Sequence, residues 1–366
     1  MRVLLVAGAR PNFMKVAPIQ RILSRRGVGT VLVHTGQHYD EALSATFFEE
    51  LGLPDPDFFL GAGSASHAVQ TARVMEAFEP VLKEVVPDWV VVVGDVNSTL
   101  AAALVTAKLR VDLGCRLAHV EAGLRSGDWR MPEEVNRVLT DRLADLLLLP
   151  SRDALPNLLA EGIPEERTAF VGNVMIDTLL QRLGVARERR VPEAWGLEPG
   201  GYVLATVHRP SNVDDRGALE RVLQGLAAVA EEIPVVAPLH PRTRARIRSH
   251  GVEAAAGSAR LIDPVGYTEM VGLLDGAAAV VTDSGGVQEE TTALGVPCVT
   301  LRENTERPVT VTLGTNRLTP WPLTPEGVLA SVRAALDAGR VPPGSRCPEG
   351  WDGLAAERVV EALVDG

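Results

Sequence analysis

The sequence predicts an α/β protein: doubly wound parallel sheets in two Rossmann-like domains facing one another across a cleft. Three observations predict it. Short apolar, β-branched runs recur along the 366 residues. Those runs are continuous rather than alternating, which marks strands buried on both faces, and spacers of helical length separate them, which marks parallel crossovers.

The runs occupy residues 3–7, 28–34, 89–93 and 116–120 in the first half, and 203–207, 234–237 and 278–282 in the second. Between residues 183 and 201 the charged stretch Arg187, Glu188, Arg189 and Arg190 gives way to Pro192, Pro199 and paired glycines, after which the alternation restarts. This places the connection near 172–200, with domains at 1–172 and 173–345. Pro342, Pro343 and Pro348 then introduce a periodic apolar segment, Leu354, Val359, Val360 and Leu363. It predicts a last helix within 346–366 that can pack back on the N-terminal domain.

Hydrophobic residues make up 46% of the chain, enough to build a core for each half. With 36 basic against 47 acidic residues the formal net charge is −11, which argues against a nucleic-acid partner. Apolar stretches such as 89–93 and 146–149 fall far short of the ~18–20 residues of a membrane span. The N-terminus runs straight into a strand, so a soluble, cytoplasmic protein is expected. Cys115, Cys298 and Cys347 are an odd number at wide spacing, which excludes a disulfide framework and a Cys-x-x-Cys metal or redox site.

Ligands of open parallel sheets bind outside the carboxyl ends of the strands, so the polar residues that follow each run are the candidates. They are Gly8-Ala9-Arg10-Pro11-Asn12 with Lys15, Gly94-Asp95, His119-Val120-Glu121, His208-Arg209, His240 and Asp283-Ser284-Gly285-Gly286. In the last of these a strand turns through glycines into a helix. Its amides and dipole attract a diphosphate, and Glu290 follows about one turn later, placed for ribose hydroxyls. Simple N-capping by Ser284, with Glu289 and Glu290 on the helix dipole, explains the same residues equally well.

Arg10 and Lys15 are either cations for a departing diphosphate or solvated charges near a helix start. Asp95 is not required as a cap. Glu121 is either an acid/base group or half of a buried ion pair with a partner such as Arg125. In Pro132-Glu133-Glu134-Val135-Asn136-Arg137, proline at N1, acids in the first turn and the Glu133/Arg137 spacing suffice as a structural explanation. His208 ends a strand, where it binds phosphate, exchanges protons or hydrogen-bonds locally. Residues 301–308, charged and closed by Pro308, read as a cleft loop. No Gly-x-Gly-x-x-Gly follows the first strand, and no Walker, His-Glu-x-x-His or Gly-x-Ser-x-Gly motif is present.

Taken in order, the motifs 8–15, 34–40, 119–125, 132–137, 283–290 and 304–308 resemble those of the non-hydrolysing UDP-N-acetylglucosamine 2-epimerases. The resemblance implies a glycosyltransferase-B-type fold, a homodimer, a UDP-sugar substrate, and neither metal nor cofactor. It implies inversion at C2 of UDP-GlcNAc through elimination and re-addition of UDP. By motif it makes Asp95, Glu121, Glu133 and His208 catalytic, and it places Arg10, Lys15, Ser284, Gly285 and Gly286 on the leaving group, Glu290 on the ribose and Arg307 in the cleft. For Glu133 the role rests on resemblance alone. Gln37-His38-Tyr39 stands where many bacterial members have Gln-His-Arg, a segment linked there to activation by a second UDP-GlcNAc. The alternatives are a hydrolysing epimerase releasing UDP and ManNAc, a glycosyltransferase sharing the architecture, and a UDP-sugar-binding regulator.

Overall fold

The computed structural model describes residues 1–37 and 48–365, with the backbone alone for Arg10. It divides into two compact units, Met1–Thr178 with Glu349–Gly366, and Leu179–Pro348.

Among the described residues, the first unit carries seven parallel strands: β1 (Arg2–Ala7), β2 (Gly29–His34), β3 (Phe58–Phe59), β4 (Trp89–Val93), β5 (Arg116–Val120), β6 (Leu146–Leu149) and β7 (Thr168–Phe170). Their order is β3-β2-β1-β4-β5-β6-β7. The order reverses between β1 and β4, which pair with Val6 opposite Val92, the place where open parallel sheets bind their ligands. Strand β4 is Trp-Val-Val-Val-Val, buried throughout. Together with Leu4, Val6 and Leu117 it meets Phe78 and Leu82 of the helix His67–Val85 in one core.

The helix Ala355–Asp365 belongs to this unit. Val359, Val360 and Leu363 are buried, the Trp89 indole donates to the Leu363 carbonyl at 3.0 Å, and Asp177 accepts the Ala355 and Ala356 amides at 3.1 and 2.7 Å. That carboxylate satisfies two amides at a helix start that would otherwise lack partners.

Among the described residues, the second unit carries β8 (Val203–Thr206), β9 (Val235–Pro238), β10 (Arg260–Ile262), β11 (Ala279–Thr282), β12 (Cys298–Thr300) and β13 (Asn316–Leu318), all parallel, in the order β10-β9-β8-β11-β12-β13. Here the reversal lies between β8 and β11, with Thr206 opposite Thr282. Val203, Ala205, Val281, Val299, Leu226 and Val332 form its core. The two parallel α/β units are the fold class that the apolar runs predict, and every run named above forms a strand.

In the first unit one fully buried carboxylate ties three elements together. Asp141, on the helix Pro132–Leu143, accepts from His119 Nδ1 at 2.6 Å, the Gly123 amide at 3.0 Å and Arg125 Nη1 at 2.7 Å. His119 Nε2 in turn donates to the Gly94 carbonyl at 2.8 Å. Burial pushes the Asp141 carboxyl up, but the charge and hydrogen bond of His119, with those of Arg125, outweigh it and hold the group below the ordinary carboxylate range. A carboxyl depressed on folding stabilises the native state above its unfolded pKa, and that contribution disappears as pH falls through the folded value. Asp141→Asn, which removes the carboxylate that faces the His119 ring and the Arg125 guanidinium, should cost about 3–5 kcal/mol at neutral pH in urea unfolding. Its penalty should shrink as the medium is acidified. An equal penalty at neutral and acid pH would refute this role.

Candidate functional site

The residues predicted from strand ends gather at the order reversal within each unit. In the first, Asn12 fixes the turn after β1. Its Oδ1 accepts the Gly8 and Ala9 amides, both at 3.1 Å, and its Nδ2 donates to the Val93 carbonyl at the end of β4, 3.0 Å away. One turn along the helix Arg10–Arg25, Lys15 is buried and forms an ion pair with Glu121, which follows β5. Gly94 makes room for it: a Cβ there would lie 2.9 Å from Lys15 Nζ, and its φ of +65° is in the left-handed region.

Glu121 is 7% exposed and has a φ of +72°, rare for a residue with a Cβ. Its amide donates to the Leu148 carbonyl at 3.1 Å. Such strain, worth about 1–3 kcal/mol, persists where the surroundings enforce it, and it concentrates at functional sites.

Beside this pair, Asp95 follows β4 and lies 2.5 Å from Arg137 Nη2, while Asn136 donates to the Asp95 carbonyl at 2.9 Å. Arg137 also binds Glu134, which accepts the Ser126 and Gly127 amides and so closes the loop before its own helix. Glu133 is half-buried at the first turn of that helix. Asp95 thus follows β4, Glu121 follows β5 and pairs with Lys15, and Glu133 stands in the first turn of the next helix.

The second unit presents a helix N-terminus flanked by guanidinium groups. Ser284 occupies the cap position of the helix Gly285–Leu294 without using its hydroxyl as a cap; its own amide donates to Thr282 Oγ1 at 3.0 Å. Gly285 admits a close neighbour, since a Cβ would lie 2.8 Å from Glu306 Oε1 and 3.0 Å from the Arg307 guanidinium carbon. Glu306 is met by Arg302 Nη2 at 2.7 Å, Arg307 Nη1 at 2.8 Å and Arg209 Nη2 at 3.5 Å, and Arg307 Nε lies 2.8 Å from Glu289. Three guanidinium groups facing two carboxylates, beside a helix N-terminus, favour an anion.

His208 follows β8, two residues past the Thr206–Thr282 pair. Its Nδ1 is 3.1 Å from Oδ1 of the fully buried Asp283, which also accepts the His208 and Arg209 amides and Asn212 Nδ2. Burial pushes Asp283 up, yet His208 and these donors bring it below the ordinary range. Its ionised oxygen fixes the proton on Nδ1 and leaves Nε2 of a partly exposed ring for chemistry. The His240 ring lies 5.5 Å away.

A family model described as UDP-N-acetylglucosamine 2-epimerase matches residues 20–364. The chain belongs to the UDP-N-acetylglucosamine 2-epimerase family. The 2-epimerase of Methanocaldococcus jannaschii is 40% identical over 100% of both chains. A UDP-2,3-diacetamido-2,3-dideoxy-D-glucuronate 2-epimerase of Pseudomonas aeruginosa is 42% identical over 87% of this chain and 88% of that one. The crystal structure of the M. jannaschii enzyme in complex with UDP-GlcNAc and UDP superposes with a TM-score of 0.91 at 39% identity, over 100% of both chains. With these likenesses the two Rossmann-like units are of the glycosyltransferase-B type.

Lys15, Asp95, Glu121 and Glu133 lie in the first unit, and His208, Ser284, Gly285, Gly286, Glu290 and Arg307 in the second. The Arg10 side chain, and His38, Tyr39 and Asp40 of the motif at 34–40, lie outside the described residues. Two expectations need correction. Lys15 is not a solvated charge, and the partner of Glu121 is Lys15, because Arg125 turns instead to Asp141 and Glu161.

Asn12 and Asp283 stand among the strand-end candidates without a role of their own, and Arg137 is read only as the helix partner of Glu133. Asp283 and Arg137 stood inside recognised motifs, but their partners lie on other elements. His34, amid the rings of Phe13, Phe48 and Phe59, accepts the Gly36 amide on Nδ1 at 2.8 Å, and burial lowers its pKa to about 4. Among the described residues no cluster of His, Cys, Asp and Glu is placed to hold a metal, and no helix is long and apolar enough to cross a membrane.

Removing one member of a buried ion pair strands the other. Lys15→Met should therefore cost about 3–5 kcal/mol in urea unfolding, and most of it should return in Lys15→Met/Glu121→Leu. A double variant no more stable than the single one would contradict the pairing.

Proposed function

We propose that the protein inverts C2 of UDP-N-acetylglucosamine to give UDP-N-acetylmannosamine, by eliminating UDP and adding it back, and that it does so without hydrolysing the sugar nucleotide. The observation that carries this reading is the division of charge: a guanidinium-flanked helix N-terminus in one unit and a group of carboxyls with a buried lysine in the other. Each half reaction needs both.

In the forward half, a carboxylate takes the C2 proton while the C1–O bond to the β-phosphate breaks, leaving 2-acetamidoglucal and UDP. That proton is not acidified by a neighbouring carbonyl, so its removal depends on a stabilised leaving group. The amides after Ser284, with Arg307, Arg10 and Lys15, take up the growing diphosphate charge. In the return half the UDP oxygen re-forms the bond to C1, and a second carboxyl delivers a proton to the opposite face of C2. Asp95, Glu121 and Glu133 supply these carboxyls, and His208, oriented by Asp283, serves the diphosphate side or the proton traffic. Glu290 holds the ribose. A homodimer in the cytoplasm completes the reading.

A second reading concerns the substrate: the Pseudomonas relative, at 42% identity, is named for a diacetamido glucuronate. Turnover of that UDP-sugar in preference to UDP-GlcNAc would favour it.

Run in D2O, the reaction should place deuterium at C2 of recovered UDP-sugar, read by the loss of the C2 proton signal in NMR. Retention of protium there, or stoichiometric release of UDP and free ManNAc, would overturn the non-hydrolysing mechanism. Asp95→Asn should remain folded and lose roughly 10²–10⁴ in kcat, the range for a positioned proton-transfer group. Near-normal turnover would remove Asp95 from the chemistry.

A further inference from the structure

The buried carboxylates of the second unit are not equally served. Asp283 collects two backbone amides, an asparagine amide and an imidazole. Glu306 has three guanidinium groups within reach, and Glu289 has Arg307. Glu290, only 3% exposed, has a single donor among the described residues, the uncharged hydroxyl of Tyr267, 2.8 Å from Oε1. A carboxylate taken out of water with one neutral donor is poorly compensated, so further donors must come from what binds there. A vicinal diol supplies two O–H donors, which matches the ribose assigned to Glu290 above.

Tyr267 is itself unusual in its choice of partner. It opens the helix Tyr267–Gly276, packs against the helix that carries Glu290, and is 7% exposed. The other buried tyrosine of this unit, Tyr202, spends its hydroxyl on a backbone carbonyl, that of Leu273, at 2.6 Å. Tyr267 spends its own on a side chain of the proposed nucleotide site. Its donor occupies one carboxylate oxygen from the side of the protein and fixes the rotation of the group.

We infer that Tyr267 is a positioning residue for nucleotide recognition, holding Glu290 by Oε1 so that Oε2 receives the 2′,3′-diol of the ribose. The inference rests on the reading of Glu290 as the ribose-binding group. Burial raises the Glu290 carboxyl to about 7, and the Tyr267 hydrogen bond works against that rise. Burial, the charge of Glu290 and the shared hydrogen bond raise the Tyr267 hydroxyl well above its ordinary value, so it remains a donor. The charged groups about the pair are Glu290 itself and Arg182 of the helix Val174–Glu188, whose charge acts on Tyr267.

The test compares UDP with 2′-deoxy-UDP by isothermal titration calorimetry on the full chain. The ratio of their affinities isolates the diol from the diphosphate and from general damage to the fold. Wild type should prefer UDP by roughly ten- to hundredfold, the range for a hydrogen bond to a charged group. Tyr267→Phe, which keeps the ring and loses the donor, should cut that preference several-fold. Glu290→Gln should reduce it as well, and adding Tyr267→Phe to Glu290→Gln should change it little further. A structural role alone would weaken both nucleotides equally and leave the ratio intact, and that result overturns the inference.

A second measurement needs no variant. The wild-type preference should decline as pH falls through about 7, where Glu290 gains a proton. A preference flat across that range also overturns the inference. Wild type that binds UDP without discriminating against the 2′-deoxy form overturns the assignment of Glu290 to the ribose, and wild type that does not bind UDP overturns the nucleotide site itself; the role of Tyr267 falls in both cases.

Discussion

A carboxylate enclosed by protein must be surrounded by donors, and those donors then have little freedom to be anywhere else. In this protein Asp141 and Asp283 impose that constraint, one in each unit, and the site residues depend on it. Asp283 gathers the amides after β8 into a fixed turn and orients the His208 ring. Asp141 draws His119, Gly123 and Arg125 together, and through His119 it reaches the Gly94 carbonyl beside Asp95. Strand ends in parallel sheets have no further ladder to hold them, so the loops that carry function need such anchors.

The ion pair of Lys15 with Glu121 is a different case. Both groups are buried, and Glu121 keeps a backbone conformation that most side chains avoid. Neither property is required to hold β5 in the sheet. Stored strain beside a desolvated charge pair is a common mark of a group placed for chemistry, and the strain sets Glu121 apart from Glu134, whose carboxylate is shared between its loop and Arg137.

Much of this was legible in the sequence. The long apolar runs became the central strands, because a strand covered on both faces has to be apolar at every position. The strands outside the apolar runs, β3, β6, β7, β10, β12 and β13, are two to four residues long, and four of them, β3, β7, β10 and β13, lie at sheet edges. At an edge one neighbour suffices, and so short a segment carries no pattern to read. The polar residues after the strands were equally legible, since parallel sheets direct them to one end. Their partners were not: the pairing of Lys15 with Glu121, of Arg137 with Asp95 and of Tyr267 with Glu290 joins residues on different elements, and strand register, not spacing along the chain, brings them together. Arg125 was the nearest cation to Glu121 in sequence, yet the helix from Pro132 presents Asp141 to it instead.

The helix Ala355–Asp365 lies in the returning segment Glu349–Gly366 of a unit otherwise built from Met1–Thr178, so the second unit is an uninterrupted insertion in the first. During synthesis the insertion can collapse as soon as it leaves the ribosome. The first unit completes its packing last: its Trp89 indole meets Leu363, and Asp177 two amides, only once the final helix is made. Until then the apolar flank that Val359, Val360 and Leu363 cover stays open to water.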